Sequence, residues 1–589
     1  MKRVIVMIHV IWNEKRANEV WGQGRDVYES YWPEMLRQAG LAYETWTPES
    51  WLSKQPDGVT IVTGLDDSAD WPVVFQAYCA RGNALLAVGG THGLDDVLGV
   101  KNVRDIHEGW IDWNGAALAD GLHSSFHFFG SALVRPNDGT EAHGTITLRN
   151  GTDTAHPAVT LKPASSGTAA LFAVDLARTF RLIQQGDTVV KDGVPADDGS
   201  GAIDDDILKA DDSIVLDWKR DRDSVEDGVP FFLHPIVDEF RLVLLRLVHR
   251  LHEKTSRTFA QVWFWPEGVE AVGHISHDTD GNLVEAANMM MDRLNEADVK
   301  TSWCVIMPGY PEDVYERVLA DGHEMAFHYN ALPQEGCYWD EGLFNEQLSQ
   351  LQSQMAGMEN GAERIWTNKN HYLRWEGDVQ FYKWCEKAGI VVEQSKGGTK
   401  QGNKGFLAGT CHPYLPASDA AEHNRIMNVY SNPTLAWDPP VHLRCTYPEA
   451  KALVDRSKDV YGVAHFLYHP ATFKMYPDVG PTFVELIRYG KEAGLPWWTA
   501  LELYNWLELR RTVDARVEAG TLRIAAGKAC KGLTVLLSEG SLSTDTAASP
   551  GVRSVKPVER FGIRLQELVL DVEQGETLIA LQGAVGAAG

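Results

Sequence analysis

Short apolar runs alternate with longer stretches of helical period through the first hundred or so residues. Arg3–Val10, Val59–Thr63 and Ala84–Val88 predict strands, while Asp26–Ala39 and Pro72–Arg81 predict helices. That rhythm is the signature of a parallel α/β sheet. Shorter β-type runs follow at Gly144–Leu148, Ala158–Leu161 and Ala169–Val174. Asp192–Asp212 is rich in Asp and Gly without the spacing of a calcium loop, which predicts a solvated, mobile segment. Phe240–His252 then reads as an amphipathic helix leading into the next unit.

From Val262 to Leu509 the α/β rhythm returns. Strands are expected at Val272–Ser276, Thr301–Met307, Glu324–His328, Ile390–Glu393 and His465–Tyr468. Helices are expected at Leu283–Ala297, Pro311–Ala320, Leu343–Met358 and Gly377–Ala388. A run of roughly 250 residues of this kind suits a (β/α) barrel, whose catalytic groups sit at the C-terminal ends of strands. Beyond Arg511 only short strands remain, at Thr521–Ala525, Leu533–Leu537, Glu567–Val572 and Thr577–Leu581, predicting a small β-sandwich. The expected organisation is therefore 1–190, an α/β domain; 191–256, an acidic loop and linker helix; 257–510, the barrel; and 511–589, the sandwich.

A chain of 589 residues exceeds what one core supports, in keeping with several domains. Its net charge of −27 argues against nucleic acid and anionic membrane surfaces, which need basic patches. No run approaches the ~18 apolar residues of a membrane span. Val4–Trp12 reads as a first strand rather than a signal peptide, so a cytoplasmic location is expected. The seven cysteines are scattered with no CxxC, which fits neither a disulfide framework nor a zinc–thiolate site.

The chemistry concentrates at His274-Ile275-Ser276-His277-Asp278-Thr279-Asp280-Gly281, directly after an apolar run. Two carboxylates two residues apart at a strand mouth can divide their work, one holding a metal and the other taking a proton from water. A second piece, Gly322-His323-Glu324-Met325-Ala326-Phe327-His328-Tyr329, follows. Simpler roles are open to each residue. Asp278 or Asp280 could cap the helix from Leu283, and His274, His277 and His323 suit structural hydrogen bonding. Trp366, Trp375 and Trp384 suit either core or a sugar platform. Gly89-Gly90-Thr91-His92-Gly93, after a strand, lacks the spacings of nucleotide-binding loops and reads as a close-packed strand-to-helix turn, although such a turn could cradle an anion.

Val59–Gly64 and Leu85–Gly99 resemble the glutamine-amidotransferase-like domain of sugar-active enzymes, including the trimerisation domain of some β-galactosidases. The resemblance implies a flavodoxin/amidotransferase-like parallel sheet. The nucleophilic cysteine of true amidotransferases has no counterpart at the turn, since Cys79 lies in the preceding helix. The domain is thus expected to be non-catalytic, a lid or a contact between copies in a homo-oligomer.

The Asp278–Asp280 and Gly322–His328 segments resemble the polysaccharide deacetylases (carbohydrate esterase family 4). The resemblance implies Asp278 as base, Asp280 and His328 as metal ligands, and His469, in Leu467-Tyr468-His469, as general acid. The chain departs from the family pattern at Leu332, where a further ligating histidine is expected. Asn368-Lys369-Asn370-His371-Tyr372 stands where the family has an Arg-x-Pro-Tyr type motif, so Lys369 would replace the arginine near the base. His371 is the preferred third ligand, with His412 as the other candidate. Zinc is favoured for Asp/His/His ligation, with cobalt, nickel and manganese compatible.

The reaction implied is metal-dependent removal of an acyl group, N-acetyl first among them, from a saccharide, with no nucleic acid or membrane partner. Three rivals stand beside it. One is cleavage of another C–N bond on the same scaffold. A glycosidase is disfavoured because carboxylates two residues apart sit too close to flank a bond needing roughly 5 Å or more between them. The third is a non-catalytic carbohydrate-binding protein that has lost its metal at Leu332.

Overall fold

The computed structural model describes residues 5–122, 125–193, 206–226, 228–358, 364–441 and 444–582. Its first sheet begins with parallel strands β1 (Ile5–Ile11), β2 (Tyr43–Trp46), β3 (Gly58–Val62) and β4 (Ala84–Val88). It continues through the antiparallel strands β5 (Val100–Asp112), β6 (Phe126–Pro136), β7 (Glu141–Thr147) and β8 (Asp153–Pro163) to β9 (Thr168–Phe172). β9 returns to lie parallel to β4, giving the local order β2-β1-β3-β4-β9. β3, β4 and β9 are buried at every position, because helices cover both faces of a parallel sheet. The helix expected from Asp26 starts later: a 3₁₀ turn at Tyr28–Tyr31 leads into helix Trp32–Gln38.

Ile236–Lys254 is the longest helix among the described residues, and it is not a surface helix. It is buried on nearly all sides, and charged groups on it pair inside the protein, as where Arg241 Nη1 donates to Asp238 at 2.6 Å. Part of the Asp-rich segment expected to be solvated is likewise anchored. Asp211 is buried and accepts from Thr399 N at 2.8 Å and Thr399 Oγ1 at 2.7 Å, tying it to the loop beyond Val392–Glu393. Positions 194–205 of that segment lie outside the described residues.

After the short β10 (Ala260–Val262) comes the site-bearing sheet. It comprises β11 (Val272–Asp278), β12 (Ser302–Ile306), β13 (Glu324–Tyr329), β14 (Thr367–Asn370), β15 (Val392–Glu393), β16 (Tyr430–Ser431), β17 (Ala436–Trp437) and β18 (Val463–Tyr468). All neighbours are parallel, in the order β16-β15-β14-β13-β12-β11-β18-β17. The expected (β/α) barrel takes the form of a curled, open parallel sheet, since among the described residues no ladder joins β16 to β17. Helices Val284–Ala297, Glu312–Ala320, Glu341–Met355 and Gln380–Ala388 follow the strands, close to expectation.

The C-terminal strands do not make a self-contained sandwich. β19 (Val513–Glu518), β20 (Thr521–Ala526) and β24 (Gly575–Ala580) extend the first sheet through β1. β21 (Cys530–Ser538), β22 (Val552–Arg560) and β23 (Ile563–Val572) take up β10 as a fourth strand. Terminal strands need partners for their edges, and here β1 and β10, from earlier in the chain, supply them. Among the described residues no helix is long and apolar enough to cross a membrane.

Candidate metal centre

Register places the functional groups in one row. β11 carries Asp278 as its last residue, and the chain turns through Gly281 at φ +71, a left-handed conformation suited to glycine, to present Asp280. His328 on β13 lies beside Lys369 on β14, and Tyr329 beside Asn370, so His371 leaves the sheet one step beyond. β11 pairs His277 with Tyr468 of β18, and β17 pairs Trp437 with Leu467, which brings Asp278, His469 and Asp438 to the same end.

Asp280, His328 and His371 converge there. His328 Nε2 lies 3.2 Å from Asp280 Oδ1 and 3.2 Å from His371 Nδ1, and His371 Nδ1 lies 3.1 Å from Asp280 Oδ1. Ligands bonded at ~2.1 Å to one ion in octahedral or tetrahedral geometry would stand ~3.0–3.4 Å apart, so the spacing fits a divalent cation. The tautomer fits as well. His328 Nδ1 donates to the Lys369 carbonyl at 2.9 Å, which leaves the Nε2 lone pair facing the other two donors. Glu335 Oε1 stands 3.8 Å from His371 Nε2, on the far side of that ring. His412 is elsewhere: it is buried against Phe264, with Nε2 2.9 Å from the Val460 carbonyl, and cannot join the cluster. Leu332 is buried, and its backbone N–H donates to Asn330 Oδ1 at 3.0 Å.

Asp278 sits at the cluster's edge, its Oδ2 3.8 Å from His328 Nε2. Its Oδ1 is buried, accepts no hydrogen bond among the described residues and lies 4.0 Å from Lys369 Nζ. Lys369 is fully buried and also donates to Ser276 Oγ, which contacts His465 Nε2 at 2.8 Å. Across the site, His469 Nε2 is 3.7 Å from Asp280 Oδ2. Its Nδ1 is 2.7 Å from Asp438 Oδ2. Asp438 also accepts from His469 N at 2.8 Å and Thr472 Oγ1 at 2.9 Å, and it pairs with Arg444.

The fields are strong. Burial works against the charged form of His469, but Asp438, with Asp280 and Asp278 beyond it, raises it to about 9. Burial likewise opposes charge on His328, yet Asp278 and Asp280 raise it. Burial favours the neutral form of Asp280, and His328, His371 and His469 together hold it well below the usual carboxylate range. Asp438 is lowered against its burial by His469 and Arg444.

A cavity of about 300 Å³ opens above these groups, walled by Asp278, Asp280 and His469 with Tyr372, Trp437 and Met475. Asp438, Arg444, Glu335 and Trp437 had no signal in sequence, since none belongs to a strand-end motif of the spacing that marked the others. The platform tryptophans considered from sequence lie apart from it. Trp375 and Trp384 are buried in the core, and Trp366 stacks under Arg364 with 4.1 Å from guanidinium to ring centre. His274, His277 and His323 are structural; His274, for example, is held at 2.8 Å by both the Trp498 carbonyl and Gln394 Oε1.

No protein-family profile matches this chain. No curated protein matches it either. Among solved structures, it is similar to Agd3, a carbohydrate deacetylase, at 10% identity over 99% of both chains with a TM-score of 0.39. A Mycobacterium smegmatis structure named provisionally as a polysaccharide deacetylase matches 42% of this chain and 93% of its own, at 14% identity and a TM-score of 0.30. A cold-adapted β-galactosidase from Rahnella sp. R3 matches 29% of this chain at 16% identity and a TM-score of 0.24, and the chain spans only 28% of that enzyme. At such scores none of these likenesses carries an activity to this chain.

Proposed function

We propose that this protein is a metal-dependent hydrolase that removes an acyl group, N-acetyl in the first instance, from an amino sugar or related saccharide. The observation that carries this reading is the convergence of Asp280, His328 and His371 donor atoms within 3.2 Å of one another, between a buried carboxylate with a free oxygen and a histidine held by a second carboxylate.

Asp280, His328 and His371 would hold a divalent cation, which when bound supplies Lewis acidity toward a water and an acyl carbonyl. Asp278 Oδ1 is available to take the proton of the attacking water. Lys369, 4.0 Å away, balances the charge of Asp278 from beneath. On the opposite side, His469 keeps Nδ1 against Asp438 and directs Nε2 into the cavity, where it donates a proton to the departing amine. A protonated His469 at neutral pH is the state this role requires. Trp437 and Tyr372 at the wall suit the apolar face of a pyranose ring.

The test is acetate release from N-acetylglucosamine and N-acetylgalactosamine, free and as oligomers, by protein loaded with zinc, cobalt, nickel or manganese. Release that is abolished by chelation and by Asp278→Asn supports the reading. Absence of release from all of these substrates with every metal overturns it.

A further inference from the structure

The N-terminal sheet holds a second cavity, remote in sequence from the metal centre. Its strand order, β2-β1-β3-β4-β9, reverses direction between β1 and β3. In open parallel sheets the crevice outside the carboxyl ends of the strands at such a reversal is where small ligands bind. Here that crevice is built. A cavity of about 350 Å³ is walled by Trp12 and Asn13, which leave β1, and by Thr63 and Gly64, which leave β3. It adjoins another of about 510 Å³ walled by the Gly89–Gly93 turn after β4. Arg16, Glu29, Thr63, Asp175 and Arg178 line both.

Two features of the walls await an acceptor. Arg178 Nε is buried without a hydrogen-bond partner, and among the described residues neither Arg178 nor Arg16 has a carboxylate in ion-pair range. Arg178 is held over the Tyr28 ring, 5.7 Å from its centre. The backbone N–H groups of Gly90, Thr91, His92 and Gly93 donate to no acceptor among the described residues. Glu29 and Asp175 line the same cavities and offer acceptors to hydroxyl donors.

We propose that the N-terminal domain binds a small molecule that bears an oxyanion, a phosphate ester or a carboxylate, together with hydroxyl groups, with Arg16, Arg178 and the Gly90–Gly93 amides receiving the oxyanion. Phosphate and carboxylate both present a pair of anionic oxygens spaced to accept two parallel N–H bonds from a guanidinium fork.

The experiment is calorimetric titration of the full, chelator-treated chain with inorganic phosphate and with citrate, against chloride at matched ionic strength. Saturable binding near one site per chain is expected. It should weaken at least about tenfold in Arg178→Met and in Arg16→Met, as loss of a charge-assisted hydrogen bond implies. It should be unchanged in Asp280→Ala, which separates it from the metal centre. Arg16 is exposed, so its replacement leaves the fold intact even if Arg178→Met does not. Tighter phosphate binding assigns a phosphate ester, and tighter citrate binding a carboxylate. No saturable binding of either anion, or binding retained when both arginines are replaced, overturns the proposal.

Discussion

His469 Nδ1 lies 2.7 Å from Asp438 Oδ2, a carboxylate whose other oxygen holds the His469 backbone N–H at 2.8 Å and Thr472 Oγ1 at 2.9 Å. Asp438 therefore fixes both the ring and the strand end that carries it, and it raises His469 to about 9. In Asp438→Asn the imidazolium loses that support. The rate kcat/KM should fall by about 10²–10⁴-fold, the range of a general acid's contribution. The alkaline limb of its pH profile should also move to lower pH. A loss of rate with an unshifted limb would deny His469 the role of acid.

The metal ligands predict a selective pattern. Asp280→Ala, His328→Ala and His371→Ala should each lose bound zinc by elemental analysis, from near one ion per chain in the wild type. His412→Ala should keep it, because that ring is spent on the Val460 carbonyl. Zinc retained in His371→Ala would move the third ligand off β14's end.

Lys369 lies below the site, fully buried and 4.0 Å from Asp278 Oδ1. Lys369→Met leaves a carboxylate in the interior without its cation. Breaking a buried pair in this way costs about 3–5 kcal/mol, which a lowered urea midpoint with unchanged slope would report. Lys369→Arg should not rescue it, since the planar guanidinium is bulkier than the ammonium and Ser276 already fills the contact.

Much of this arrangement was legible in the chain and some was not, for physical reasons. Asp278, Asp280, His328 and His469 stood at the ends of apolar runs, and parallel strands expose their carboxyl ends together, so sequence order translates into proximity. His371 was preferred over His412 because it falls at an expected strand end, but only the β13–β14 register, which sets Tyr329 beside Asn370, decides that it leaves the sheet beside His328. Asp438 follows a two-residue strand, Ala436–Trp437, too short to leave a pattern. The C-terminal strands were recognisable one by one, but the β1–β19 pairing joins residues some five hundred positions apart and has no local signature. The buried helix Ile236–Lys254 misled because its charged residues imitate a solvent face while pairing inside the protein.

Away from the site, His127 links stability to pH. Its Nδ1 is paired with the buried Asp221, whose other oxygen accepts from Trp110 Nε1 at 2.7 Å, and its Nε2 lies 3.2 Å from Glu108. Burial opposes its charge, but Asp221 and Glu108 prevail and raise it above the ordinary 6.5. A group raised on folding stabilises fully below its unfolded value, and the contribution is lost as pH climbs through the folded value. The urea-midpoint gap between wild type and His127→Gln should thus be wide near about pH 6 and narrow toward about pH 9. A gap that stays constant would mean that the ring is held neutral.

Trp437 offers the last test, one that separates binding from chemistry. It lines the cavity beside Leu467 and Thr472 without touching the proposed metal ligands or the proton-transfer groups through any hydrogen bond. If a pyranose face rests on it, Trp437→Ala removes an interaction made equally in the ground state and the transition state. KM should then rise by roughly 2–10-fold, the equivalent of 0.5–1.5 kcal/mol for an aromatic contact, with kcat little changed. Trp437→Phe should recover most of the loss. A fall in kcat at constant KM would instead mean that Trp437 acts by holding Asp438, the next residue along the chain, and that the sugar lies elsewhere in the cavity.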